Sequence, residues 1–160
     1  MTKSKQKTVK KNVLVNFILD RSGSMDSVKD ATISSVNEYL GKLRADKKID
    51  YKFSLTLFDD VIEKPYVNVP LKDVEDLNEK TFVPRGMTAL YDAVCKTIKD
   101  VKEKKDQKVI TVIVTDGGEN SSKEYNEKTL KALIEKKDKW TFLFLGANQD
   151  SYATAQRYGI

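Results

Sequence analysis

The sequence predicts an α/β domain: a mostly parallel sheet with helices on both faces. Three observations lead there. Near-continuous apolar segments rich in β-branched residues alternate with amphipathic helical segments, and polar loops bearing glycine join them. With 160 residues and 39% hydrophobic content, the chain has material for one sizeable core and no room for a second full domain. The predicted division is a flexible basic tail over residues 1–11, carrying Lys3, Lys5, Lys7, Lys10 and Lys11 without an acid, then one domain over residues 12–160.

Val13 to Leu19 is apolar apart from Asn16, the pattern of a central strand covered on both faces. A turn-rich loop from Asp20 to Ser24 follows. From Asp26 to Leu43, Val28, Ala31, Val36, Tyr39, Leu40 and Leu43 recur at helical spacing. Tyr51 to Phe58 reads as a strand, and Val61 to Val69 as another. The tight Asp59-Asp60 turn between them predicts a hairpin, which makes the third strand antiparallel. Thr88 to Val101 places Leu90, Ala93, Val94, Ile98 and Val101 on one helical face, and the strand Lys108 to Thr115 follows. Asp116 to Asn120 is a loop by its glycines, Lys123 to Lys137 a helix, Trp140 to Leu145 a buried strand, and Ser151 to about Tyr158 a short closing helix. The chain shows no internal repeat and no low-complexity tract.

The formal net charge is +5, yet beyond the first eleven residues the lysines stand beside acids, as in Val101 to Asp106 and Glu135 to Lys139. That is the look of solvated helix faces and argues against nucleic acid as a partner, with the tail as its best remaining location. The single cysteine, Cys95, cannot form an internal disulfide; its neighbours Ala93, Val94 and Ile98 mark it as a small buried residue. With no histidine at all, neither a zinc site nor a Ser-His-Asp or Cys-His nucleophile can be assembled. The apolar run near the N-terminus is too short for a signal segment or a membrane span, so a cytoplasmic location is expected.

Three polar segments flank apolar elements: Asp20-x-Ser22-x-Ser24 after the first strand, Arg85 to Thr88 before a helix, and Asp116-Gly-Gly after a later strand. In open parallel sheets, loops at the carboxyl ends of strands meet at the switch point where ligands bind. What these segments bring is oxygen: carboxylates from Asp20 and Asp116, hydroxyls from Ser22, Ser24 and Thr88. Such a set suits a hard divalent cation, and Mg²⁺ above any nitrogen- or sulfur-seeking metal, because Mg²⁺ accepts one or two carboxylates and completes its shell with water. Gly23 permits the tight turn that aims both serines at one point. Ser24 or Asp26 is expected to cap the next helix, whose positive N-terminal pole favours an anion bound to the metal.

The chain resembles a von Willebrand factor A (VWA) domain with its metal-ion-dependent adhesion site (MIDAS). Phe17 to Met25, Gly86 to Ala93 and Val112 to Gly117 are similar to family signatures, and the likeness runs over residues 12 to 160. Met87 stands where a small residue is common in the family. The resemblance implies a Rossmann-like three-layer α/β/α fold with one antiparallel strand. It implies that Ser22, Ser24 and Thr88 contact a divalent ion (Mg, or Mn or Ca) through hydroxyls, with Asp20 and Asp116 binding directly or through water. It also implies a free metal position that captures an Asp or Glu of a protein partner.

Other readings of the same residues exist. Ser22, Ser24 and Asp26 are also ordinary turn and cap residues, and Asp116-Gly an ordinary turn. Arg85 lies near the loop, where it can meet an acidic partner or pair internally. Trp140, Phe142 and Phe144 read as sheet core. Tyr91 and Asp92 open a helix and need no special role. A Mg²⁺-dependent phosphoryl-transfer enzyme on this architecture would need a second Asp where Ser22 stands, or a phosphate-binding glycine loop that is absent. A module whose metal merely stabilises the loops stays open. The expectation is a binding domain rather than an enzyme.

Overall fold

The computed structural model describes residues 10–116, 118–146 and 151–160. The expected tail falls almost wholly outside these residues, except that Lys11 already belongs to the first strand. Strands β1 (Lys11–Asp20), β2 (Ile49–Phe58), β3 (Ile62–Pro70), β4 (Gln107–Thr115) and β5 (Thr141–Gly146) form one sheet in the order β3-β2-β1-β4-β5. β1 is central and parallel to β2 and β4, β4 is parallel to β5, and β3 is antiparallel to β2, as the Asp59-Asp60 turn predicted.

Residue alternation along β1 sorts the two cores. Val13, Val15, Phe17 and Leu19 face α1 (Lys29–Ala45), where Val36, Leu40 and Leu43 meet them together with Phe53, Leu55 and Leu57 of β2. Ile18 faces the opposite layer of α2 (Leu90–Asp100), α3 (Glu127–Lys136) and α4 (Ser151–Tyr158), beside Phe58, Ile113, Ala93, Cys95, Ile98 and Leu130. Cys95 is buried there, and burial pushes its thiol pKa up to about 12. Trp140, Phe142 and Phe144 pack half-buried against the same core, but β5 is not the buried strand expected: it lies at the sheet edge, and Leu143 and Leu145 on its other face are exposed.

The expected helix starting at Asp26 begins later. A 3₁₀ turn over Gly23–Val28 precedes α1, and neither Ser24 nor Asp26 caps α1: its N-cap is Val28, with no side-chain bond. The first turn is tightened because Met25 is wholly buried beneath it and Ser22 accepts the Met25 amide at 3.0 Å. The expected start of the third helix at Lys123 also moves. α3 begins at Glu127 after an Asn126–Thr129 capping box, and Lys123 to Tyr125 are bound elsewhere.

Candidate metal centre

Because β1, β2 and β4 are adjacent and parallel, their carboxyl ends lie side by side, and the chain runs outward in both directions from β1. Asp20 closes β1 and is fully buried. Its Oδ1 accepts the Ser22 amide at 2.7 Å and its Oδ2 accepts the Thr115 hydroxyl at 2.8 Å, so both carboxylate oxygens are held. Burial raises its pKa; the hydrogen bonds from Ser22 and Thr115 work against that shift, and the charge of Asp116 adds to it. Asp20 makes no ion pair with a basic side chain among the described residues.

Ser22 is buried, while Ser24, 3.2 Å from it between hydroxyl oxygens, is exposed. Thr88 sits in the loop entering α2 and is buried; its amide donates to Asn120 Oδ1 at 2.9 Å, and its carbonyl accepts the amides of Asn120 and Ser121 at 2.9 and 3.1 Å. The two loops are tied by Gly23 N–H to the Gly86 carbonyl at 3.1 Å and Arg85 N–H to the Arg21 carbonyl at 2.7 Å. Asp116 is half-buried one residue past β4, with its Oδ1 accepting Gly118 N–H at 3.4 Å. Gly117 of the expected loop lies outside the described residues. The three segments that carry Asp20, Ser22, Ser24, Thr88 and Asp116 therefore meet at one end of the sheet.

Asp59 and Asp60 do more than make a turn. Asp59, buried, accepts the Val61 amide at 2.6 Å and pairs with Arg85 at 2.9 Å and Arg21 at 3.4 Å, and its carbonyl accepts the Ala89 amide at 3.0 Å. Glu63 completes the cluster, 2.8 Å from Arg21 and 3.5 Å from Arg85, and the hydrogen bond and charge of Arg21 hold its pKa below the usual range. Asp60 Oδ1 accepts the Met87 amide at 3.2 Å. A Cβ at Gly86 would stand 2.4 Å from that oxygen, and Gly86 has φ +70°, so the loop needs glycine on both counts. Arg85 thus pairs internally, the plainer of its two expected roles. Asp92 has a role that was not expected: it accepts the amides of Lys123, Glu124 and Tyr125 at 2.9, 3.0 and 2.9 Å, holding the segment after Asn120 in place. Burial opposes its charge, but those amides and Lys96 outweigh it and lower its pKa. Nothing local in the sequence marks Asp92 or Asn120, whose partners lie about thirty positions away.

The donor set fits a divalent cation. Two carboxylates and three hydroxyls are all hard oxygen donors, and a buried carboxylate whose charge is opposed by burial and by a neighbouring acid is relieved by a cation beside it. No cluster of three carboxylate, cysteine or histidine side chains suited to a metal occurs among the described residues, so any ion here must take hydroxyls and water into its shell.

Fold and site together define a three-layer α/β/α domain with an oxygen-donor centre at the switch point of its sheet. No protein-family model matches the sequence, and neither does any curated protein. Solved structures do match. An aerotolerance-related membrane protein from Bacteroides fragilis has a TM-score of 0.59 at 17% identity, over 84% of this chain and 67% of that one. Manganese-loaded Plasmodium vivax TRAP protein has 0.60 at 16%, over 92% and 62%. Proximal thread matrix protein 1 from the mussel byssus, with a zinc-occupied MIDAS motif, has 0.58 at 15%, over 84% and 35%. This chain therefore spans from about a third to two thirds of the length of these three proteins. Its fold is that of a von Willebrand factor A-type domain.

Proposed function

We propose that the domain is a metal-dependent protein-binding module that holds Mg²⁺, or another divalent ion, and presents it to an Asp or Glu of a partner. The observation that carries this reading is the gradient of exposure across the donor set, from buried Asp20 and Ser22 to exposed Ser24. Ser22, Ser24 and Thr88 would contact the ion through their hydroxyls, and Asp20 and Asp116 directly or through water. A bound ion would supply Lewis acidity toward a partner's carboxylate, with exposed Ser24 marking the side open to it. The chain's own contribution is orientation: Thr115 and the Ser22 amide hold Asp20, and the Asn120 bonds hold Thr88.

The sequence contains no histidine, so the hydroxyls at the site have no imidazole base of the Ser-His or Cys-His kind beside them. Among the described residues no helix is long and apolar enough to cross a membrane. Solved proteins with the same fold include ones with manganese and with a zinc-occupied MIDAS motif, which supports a divalent ion without choosing one. The test is proton relaxation in the Mn²⁺-loaded protein. N-acetylglutamate should relax strongly and N-acetylglutamine should not, and Asp20→Asn should abolish the difference. Tight Mn²⁺ binding with no relaxation of either compound would mean a closed, purely stabilising ion and would overturn the partner-capture reading.

A further inference from the structure

A row of polar side chains crosses the middle of the sheet, four residues before Asp20 along β1, on the face covered by α2. Asn16 of β1 stands opposite Ser54 on β2 and Thr111 on β4, and Ser54 accepts the Asn68 amide from β3 at 2.8 Å. This row lies in the layer that otherwise supplies Ile18, Phe58 and Ile113 to an apolar core. Asn16 is 1% exposed, and neither its Oδ1 nor its Nδ2 has a hydrogen-bond partner among the described residues. Thr111 Oγ1 and Asn68 Oδ1 are buried without one as well. Asn68 adopts φ 50°, a left-handed conformation that asparagine tolerates better than most side-chain-bearing residues, beside a shifted register between β2 and β3.

Asn16, Ser54 and Asn68 border a cavity of about 330 Å³ between β3 and the C-terminal end of α2. Small-molecule pockets begin at about 300 Å³. Asn16, Thr56 and Thr97 form its polar side, with Thr97 Oγ1 already spent on the Ala93 carbonyl at 2.6 Å; Leu14, Val67 and Val101 form its apolar side. Lys64 and Asp100, paired with each other, and the exposed Lys102 complete its lining. A buried primary amide with both atoms unpaired offers a donor and an acceptor side by side. Leaving both unmet is unfavourable enough that buried amides nearly always find partners.

We propose that this cavity is a second binding site, for a small neutral molecule bearing an adjacent donor and acceptor, a lactam or primary carboxamide, which pairs with Asn16 through two hydrogen bonds while its body rests on Leu14 and Val67. A neutral ligand is favoured over a carboxylate or an ammonium ion, because Lys64 and Asp100 already neutralise each other and a charged ligand would have to break that pair. The site is independent of the metal-binding reading.

The experiment titrates ¹⁵N-labelled protein with 2-pyridone, and separately with N-methyl-2-pyridone, which lacks the N–H donor, in both chelator and Mg²⁺. Saturable shifts of the Asn16 side-chain amide and of the Ser54 and Thr97 backbone amides are expected with 2-pyridone, at least tenfold weaker with the methylated compound. Two variants should remove them: Asn16→Leu, and Val67→Trp, which plugs the mouth from a position 63% exposed and so leaves the core packing alone. No shift with either compound, equal shifts with both, or undiminished shifts in the variants would overturn the proposal. So would persistent water-to-Asn16 cross-relaxation at the end of the titration, which would make the cavity a home for structural water only.

Discussion

Asp20→Asn separates the cost of the metal centre from its benefit. The substitution keeps the shape of the side chain: the Asn oxygen can still accept the Ser22 amide, and the Thr115 hydroxyl can turn to accept from the new amide instead of donating. What disappears is a buried negative charge opposed by burial and by Asp116. Because the folded-state pKa of Asp20 is raised, its contribution to stability is fully present below the unfolded value and lost as pH rises through the folded one. At neutral pH without metal the charge is therefore a burden, and the variant's thermal midpoint in chelator should equal or exceed that of the wild type. With metal the order reverses. A ligand at 100 times its dissociation constant stabilises by about 2.7 kcal/mol. For a domain of this size each kcal/mol is worth about 2–4 °C, so the wild type should gain about 5–11 °C and the variant almost nothing. Differential scanning fluorimetry in chelator and in graded Mg²⁺ or Mn²⁺ reads both effects. A variant less stable than the wild type in chelator, or one that gains as much from metal, would refute the reasoning.

Two further substitutions test the scaffold of the site. Asp59→Ala leaves Arg21 buried with only Glu63 for a partner, and should cost about 3 kcal/mol in urea unfolding, whereas Arg85→Ala, at a side chain 55% exposed, should move the thermal midpoint by no more than about 2 °C. Equal losses would mean that the cluster acts through Arg85. Asp92→Asn puts an amide donor against one of the backbone amides the carboxylate accepts, and should cost about 2 kcal/mol at neutral pH. Since the folded pKa of Asp92 is lowered, its contribution is present above the unfolded value and lost as pH falls. The gap between wild type and Asp92→Asn should therefore narrow in acid; a gap constant across pH would count against the charge having any part.

Much of the architecture was legible because it is written locally. The 2.0 and 3.6 periods of strand and helix placed all five strands and four helices near their observed positions, and the Asp59-Asp60 turn announced the antiparallel hairpin. The start of α1 was misplaced because the 3₁₀ turn is set by burial of Met25, and the start of α3 because Asp92 captures Lys123 to Tyr125 from across the molecule.

The sequence by itself determined which elements form and which oxygen donors stand at their ends, since Asp20 closes a strand, Ser22, Ser24 and Asp116 follow strands, and Thr88 precedes a helix. Tertiary structure alone decided what those donors experience. Asp20 owes its raised pKa to burial among strands paired over ninety-five positions, as its bond to Thr115 records, and Arg85 found Asp59 and Glu63 across twenty-six and twenty-two. Asn16, read only as an interruption in an apolar strand, became a candidate ligand-binding group once Ser54 and Thr111 were aligned beside it above a cavity. The reason is the range of the forces involved: periodicity is a property of neighbours along the chain, whereas desolvation, charge pairing and hydrogen-bond satisfaction depend on atoms that only folding brings within a few ångströms.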